Sequence, residues 1–165
     1  GFKLVLQLWN KYFLKDSNYV LILCGPTKKD LEDFGYKSGA NILAMGFTDK
    51  VFSVLKSADM MLLPSFHEGL SYAVLEAISS ECPVIASKIP GITSLITNHS
   101  NGILFDLNKS HNDLLKTMYD LILFVNNNQV KIKKYTRNGL KKAMLFDRKL
   151  ILNHHLDNVK KISST

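Results

Sequence analysis

Residues 59–90, DMMLLPSFHEGLSYAVLEAISSECPVIASKIP, decide the fold. Residues 60–63 form a short apolar strand, residues 64–69 a turn, and Val84 to Ala86 a second apolar strand after an amphipathic helix. The stretch therefore predicts one β-α-β unit. Leu70, Ala73, Val74, Ala77 and Ile78 recur at i, i+3, i+4, i+7 and i+8, which commits one helix face to a sheet. Glu76 falls off that stripe, and Glu68 stands just ahead of the helix.

In open α/β sheets ligands sit beyond the carboxyl ends of the strands, where turns such as Ser65-Phe66-His67-Glu68-Gly69 lie. Gly69 lets backbone approach a ligand without a Cβ in the way. The free N–H groups that follow, with the helix dipole behind them, make an anion site suited to a phosphate. Glu76, six residues past Leu70 and roughly 9 Å along the axis, would then reach a neutral group attached to that phosphate. A carboxylate accepting from two adjacent hydroxyls suits a ribose diol. Taken singly, Glu68 also reads as an acid favouring a helix N-terminus and Glu76 as a solvated helix carboxylate.

Glu68 and Glu76, seven residues apart in P-S-x-x-E-G-L-x-x-x-V-L-E-A and followed by P-V-I-A-S and N-G-I-L-F, resemble the donor-site signature of retaining glycosyltransferases of family 4. The resemblance implies the C-terminal half of the GT-B fold: a Rossmann-like three-layer α/β domain with a parallel sheet. It further implies a hexosyltransferase using a nucleotide-sugar such as a UDP-sugar or GDP-sugar, with no metal and no other cofactor. Glu76 would hold the donor ribose. Glu68 would lie by the transferred sugar as the catalytic-site carboxylate, and backbone amides around Gly69 and Leu70 would meet the diphosphate. Gly25, Phe66, His67 and Ser71 belong to the same donor-binding set.

Phe47, in the turn 46–50, offers a ring or its backbone to the base, or else packs on the sheet. His67 contacts the sugar or is an ordinary loop histidine. Two departures from the family pattern stand out: Glu81 occupies the usual Gly before C-P-V, and Ser71-Tyr72 replace Phe-Gly, which favours a packed Tyr72. In the family, the donor's own phosphate helps deprotonate the acceptor on the same face. An Arg and a Lys just upstream of the first helix meet the leaving diphosphate.

The wider chain fits one donor-binding domain, residues 1–165. Its 46% hydrophobic and 21% charged residues are ordinary for a globular protein with a core. A first residue Gly1, leading straight into an apolar helix, predicts a piece of a longer two-domain enzyme whose acceptor half precedes it. Such a piece is expected to bind donor weakly and to be inactive alone. No run of eighteen apolar residues occurs, and the opening segment carries no basic leader with a small-residue cleavage site. Cys24 and Cys82 lack C-x-x-C spacing and paired histidines, so they predict free thiols in a reducing cytoplasm.

Residues 1–128 carry 11 Lys/Arg against 12 Asp/Glu, whereas residues 129–165 carry 10 against 2. This basic block suits an anionic surface at the inner face of a membrane, near a lipid-linked or glycan acceptor, or is simply a solvated helical face. A basic nucleic-acid module is a competing reading. Against it, Tyr135 and Phe146 are its few aromatics and sit where a helix core wants them, so no nucleic-acid partner is expected. A GT-B-fold nucleotide-sugar epimerase is another competitor, but it would need its own acid/base cluster.

Along the rest of the chain the patterns predict a helix to Lys15, strands over 18–24 and 41–45, and a polar helix from an N-cap at Thr27 to near Gly39. They also predict an apolar helix through Val51, Val54, Leu55 and Ala58, and a short helix opening at Pro90-Gly91, a turn the family places near the donor. A strand over 103–105, a long helix over 113–125 and two more helices around 130–146 and 150–162 follow. Neither G-x-G-x-x-G nor a Walker pattern occurs. Asn98-His99-Ser100 matches a glycosylation acceptor, which carries no meaning in a cytosolic chain.

Overall fold

The computed structural model describes residues 1–36 and 41–146. The helix expected around 150–162 and the expected end of the second helix near Gly39 lie outside them.

The elements alternate as predicted. Helix α1 (Phe2–Tyr12) precedes β1 (Leu21–Cys24), α2 (Lys28–Asp33), β2 (Ile42–Gly46) and α3 (Val51–Ser57). Strand β3 (Met61–Leu63), α4 (Tyr72–Ser79), β4 (Val84–Ser87), α5 (Pro90–Thr93) and β5 (Ile103–Phe105) follow. Helices α6 (His111–Asn127) and α7 (Gln129–Met144) close the described chain. All strand pairs are parallel. Instead of one sheet, however, the described residues form two: β1-β2, and β3-β4-β5 in that order. The central unit is as expected, β3 pairing β4 directly with Met61 opposite Val84 and Leu63 opposite Ala86.

Side-chain alternation along the strands creates two hydrophobic clusters. Ile85, Ile103 and Phe105 join α1 and α6 on one face, whereas Val84 and Ala86 join α3, α4 and α5 on the other. Val74, Ala77 and Ile78 of α4 are essentially fully buried there; the Val and Ile side chains each contribute about 1.5–3 kcal/mol by leaving water. Helix α7 serves both faces. Its Ile132 and Tyr135 enter the first cluster, and Gly139 lets it cross α4, since a Cβ there would sit 3.2 Å from Ile78.

Helix α2 starts as predicted. The Thr27 hydroxyl accepts from the Asp30 N–H at 3.2 Å, and the Thr27 N–H donates to the Asp30 carboxylate at 2.7 Å, a reciprocal capping box. The bonds from the Thr27 hydroxyl and N–H hold the Asp30 carboxyl below the usual range. It ends earlier than expected, because Gly35 at φ 76° and the Tyr36 N–H bond to the Leu31 carbonyl close it.

Helix α4 also departs from the periodic pattern. It begins at Tyr72, so Leu70 stays in the loop, 42% exposed. Leu70 fits the spacing of the stripe, but Ser71 has extended backbone and breaks the helix before it. Tyr72 is 72% exposed rather than packed, because it projects from the side of α4 opposite the core.

At the other end of α4, Glu81 adopts φ 57° while the Cys82 N–H closes the helix on the Ala77 carbonyl at 2.9 Å. The departure from Gly seen in the sequence therefore falls on a left-handed residue, where a side chain costs about 1 kcal/mol, at the negative end of a helix. Glu81→Gly is expected to stabilise the protein by about 0.5–1 kcal/mol, raising Tm by roughly 1–4 °C in a thermal melt. An unchanged or lower Tm would mean the turn is not strained.

Candidate functional site

A cavity of about 1170 Å³ runs along the whole length of β1 and β3 and reaches the loops at their carboxyl ends and after β2. Its mouth is formed by Gly25 and Pro26 after β1, Phe47 and Thr48 after β2, Ser65 after β3, and Glu76 from α4. Gly25 and Gly46 take φ 104° and 66°, which lets both β1 and β2 turn sharply at the rim. Among the residues expected to bind donor, Gly25, Phe47 and Glu76 are thus brought to one crevice.

Glu76 is half-buried and shares the crevice-facing side of α4 with Ala73, on the flank of the stripe formed by Val74, Ala77 and Ile78. Because the helix starts at Tyr72, Glu76 lies roughly 6 Å along the axis from the first helical residue, closer to the helix start than the sequence pattern implied. Phe47 does not pack on the sheet: its ring is 97% exposed at the rim.

Glu68 does not line the cavity, but it is bonded to Ser65, which does. The Ser65 hydroxyl donates to Glu68 Oε1 at 2.9 Å, and the fully buried Ser87 hydroxyl at the end of β4 donates to the Ser65 carbonyl at 2.5 Å. The loop carrying Glu68 is therefore tied to two strand ends. It is also braced by Gly91 in α5, where a Cβ would lie 2.1 Å from the Gly69 carbonyl oxygen and 2.3 Å from that of Glu68. Neither Ser87 nor the Gly91 contact carried a signal in the local sequence beyond the position of Pro90-Gly91 after a strand. Phe66, His67, Gly69 and Leu70 are exposed on this loop, and they lie outside the cavity lining, as does the buried Ser71.

The start of α4 has the features of an anion site. The first-turn N–H groups lack intrahelical partners by geometry, and no acid occupies that turn. The Ser71 hydroxyl at the N-cap is buried and makes no hydrogen bond among the described residues. A buried hydroxyl without a partner costs about 1–3 kcal/mol, a deficit that an anion at the helix start would remove. Cys82, at the other end of α4, is a free thiol pushed up to about 12 by burial and by the charge of Asp59, so it is a packed group rather than a nucleophile. The Asn98 side chain accepts from the Leu104 N–H at 2.8 Å and so acts as a turn brace.

Parallel strands with helices on both faces and a crevice at their carboxyl ends define a Rossmann-like α/β domain of the kind found in GT-B glycosyltransferases. Within that class, the chain belongs to the family described as glycosyl transferases group 1, which matches residues 1–139.

A UDP-Gal:alpha-D-GlcNAc-diphosphoundecaprenol alpha-1,3-galactosyltransferase of Escherichia coli is 34% identical over 99 residues, 58% of this chain and 25% of that protein. A D-inositol 3-phosphate glycosyltransferase of Corynebacterium glutamicum is 27% identical over 117 residues, 64% of this chain and 28% of that protein. The chain thus spans about a quarter of these relatives.

In fold, it is similar to the GtfA/B complex (TM-score 0.78, 16% identity, 98% of this chain and 33% of that one). It is likewise similar to Anabaena HepE in complex with UDP and glucose (0.72, 16%, 98% and 44%).

Proposed function

We propose that this chain is the donor-binding domain of a glycosyltransferase that moves a hexose from a nucleotide-sugar to a glycan or lipid-linked acceptor with retention of configuration. The observation that carries this reading is the convergence of Glu76, Gly25, Phe47 and Ser65 on one crevice, with the Ser65 hydroxyl bonded to Glu68 in the loop that leads into α4. Family membership and the nucleotide ligands named for the relatives support it.

In this reading Glu76 accepts from the ribose hydroxyls, and Phe47 lies against the base. The amides from Gly69 through the first turn of α4, with the Ser71 hydroxyl, receive the diphosphate. Glu68, its orientation set by Ser65, faces the transferred sugar, with His67 and Phe66 at the rim. Donor N–H groups aimed at the leaving diphosphate stabilise charge as it develops, and the reading needs no metal. The acceptor side and the cations for the diphosphate come from another domain. The isolated chain is therefore expected to bind donor weakly and to transfer nothing.

The test is calorimetric titration with UDP, GDP and ADP. Saturable binding of one of them supports the reading and names the base; no binding by any at millimolar concentration overturns it for this chain.

A membrane partner is proposed for α7 on a separate observation. Its solvent side presents Lys133, Lys134, Arg137 and Lys141, with Val130 (91%) and Met144 (59%) exposed at either end, and residues 129–146 contain no acid. Cations flanked by apolar side chains suit an anionic lipid surface, each cation adding about 1 kcal/mol near it. Stacking on nucleic acid is disfavoured, since Tyr135 is buried in the core. Co-sedimentation with vesicles rich in phosphatidylglycerol is expected, falling with salt and lost when the four cations become Ser; salt-independent or absent sedimentation overturns it.

A further inference from the structure

Ser87, the last residue of β4, is 0% exposed, the most deeply buried polar side chain among the described residues. By strand alternation it falls on the side of Ile85, which packs in the cluster shared with α1 and α6. An apolar side chain would serve the packing there, and a hydroxyl costs free energy unless it is bonded. Its bond leaves the strand altogether and ends on the main-chain carbonyl of Ser65 at 2.5 Å. Ser87 therefore holds the peptide that opens the loop carrying Glu68.

Ser65 passes that restraint to one oxygen of Glu68. With the Ser65 carbonyl fixed, its hydroxyl donates to Glu68 Oε1 at 2.9 Å, while Glu68 Oε2 accepts no bond among the described residues. Glu68 is half-buried between the exposed His67 and Gly69, and no cation pairs with it among the described residues. A carboxylate with one oxygen held and the other free is an acceptor with a set direction.

This restraint differs in kind from that of Gly91. Gly91 confines the Glu68 and Gly69 carbonyls by contact, and so sets the path of the main chain into α4. Ser87 acts at Ser65 and reaches the Glu68 side chain through a single hydroxyl. Loss of the Ser87 hydroxyl thus leaves the start of α4, Glu76 and Phe47 in place and frees only the aim of Glu68.

We infer that Ser87 is a positioning residue for the transferred sugar: through Ser65 it aims Glu68 Oε2 at a sugar hydroxyl and takes no part in holding the nucleotide. The inference rests on the donor-binding reading, in which Glu68 faces the sugar.

The test is calorimetry on the 165-residue chain with UDP and UDP-glucose, GDP and GDP-mannose, and ADP and ADP-glucose. The readout is the Kd of the nucleotide-sugar divided by that of its nucleoside diphosphate, a ratio that a general loss of stability does not move. Ser87→Ala is expected to raise this ratio about five- to tenfold, as for the loss of one hydrogen bond, with nucleoside diphosphate affinity unchanged. Ser87→Cys, a weaker donor of similar size, is expected to fall between. In a Glu68→Ala chain, Ser87→Ala is expected to change nothing further, because it acts through Glu68. An unchanged ratio in Ser87→Ala, or an equal rise with and without Glu68, overturns the inference and leaves the donor-binding reading standing. A wild type that binds none of these ligands at millimolar concentration overturns that reading and the inference with it.

Discussion

Gly91→Ala is expected to lower the unfolding free energy by about 1–3 kcal/mol, a fall in Tm of roughly 2–12 °C, and to weaken nucleotide binding in the same variant. The cause is steric. Gly91 is buried in α5, and the added methyl would lie 2.1 and 2.3 Å from the carbonyl oxygens of Gly69 and Glu68. Those atoms are backbone, so no side chain can swing aside to relieve the contact. The loop itself must move, and it is held by the Ser87 and Ser65 hydrogen bonds. Displacing it shifts Glu68 and the N–H groups leading into α4 together. A thermal melt and a nucleotide titration on one preparation check both parts; a variant with wild-type Tm and affinity would show that the loop yields freely and that α5 is no brace.

Glu76→Ala is expected to weaken nucleotide binding by about 2–3 kcal/mol, roughly 30- to 150-fold in Kd, with Tm unchanged or slightly higher. A carboxylate accepting from a ribose diol makes two charge-assisted hydrogen bonds, each stronger than a neutral one. Glu76 stands at the crevice edge, off the buried stripe, so its truncation opens no cavity in the core. Alanine is also the better helix former at an interior position of α4. The two readouts therefore separate cleanly: lost affinity without lost stability places Glu76 on the ligand, and Glu76→Gln should fall between, since an amide oxygen still accepts. Equal Kd values for wild type and both variants would remove Glu76 from the site.

How much of this was legible beforehand differs by residue. The β-α-β unit was readable because Met61–Leu63 and Val84–Ser87 are apolar runs around a 3.6-residue stripe, and such local periodicity survives folding. The Thr27 cap was readable for the same reason, being set by residues within a few positions of itself, whereas Glu81 stood out only as a departure from the family pattern. The start of α4 was not legible, because Leu70 matches the stripe while Ser71 carries the break, and periodicity alone does not see a backbone turn. The position of Gly91 against Glu68 and Gly69, and of Ser87 against Ser65, joins residues 22 or more apart in sequence, so no spacing rule reports it. The division of the sheet was illegible too, because a strand's apolar pattern does not say how many neighbours it has.

The loops that follow β2 and β3 differ in how freely they can change. Phe47 stands almost wholly in solvent, so exchanging its ring for another side chain disturbs no packing and should stay within about 0.5 kcal/mol of the parent stability. The loop at Glu68 and Gly69, outside the cavity lining, is wedged against Gly91 and tied to two strand ends. Variation introduced by chance is therefore tolerated in one loop and purged in the other. A lineage built on this scaffold can try new ligand preferences by single steps at position 47 without first acquiring spare stability.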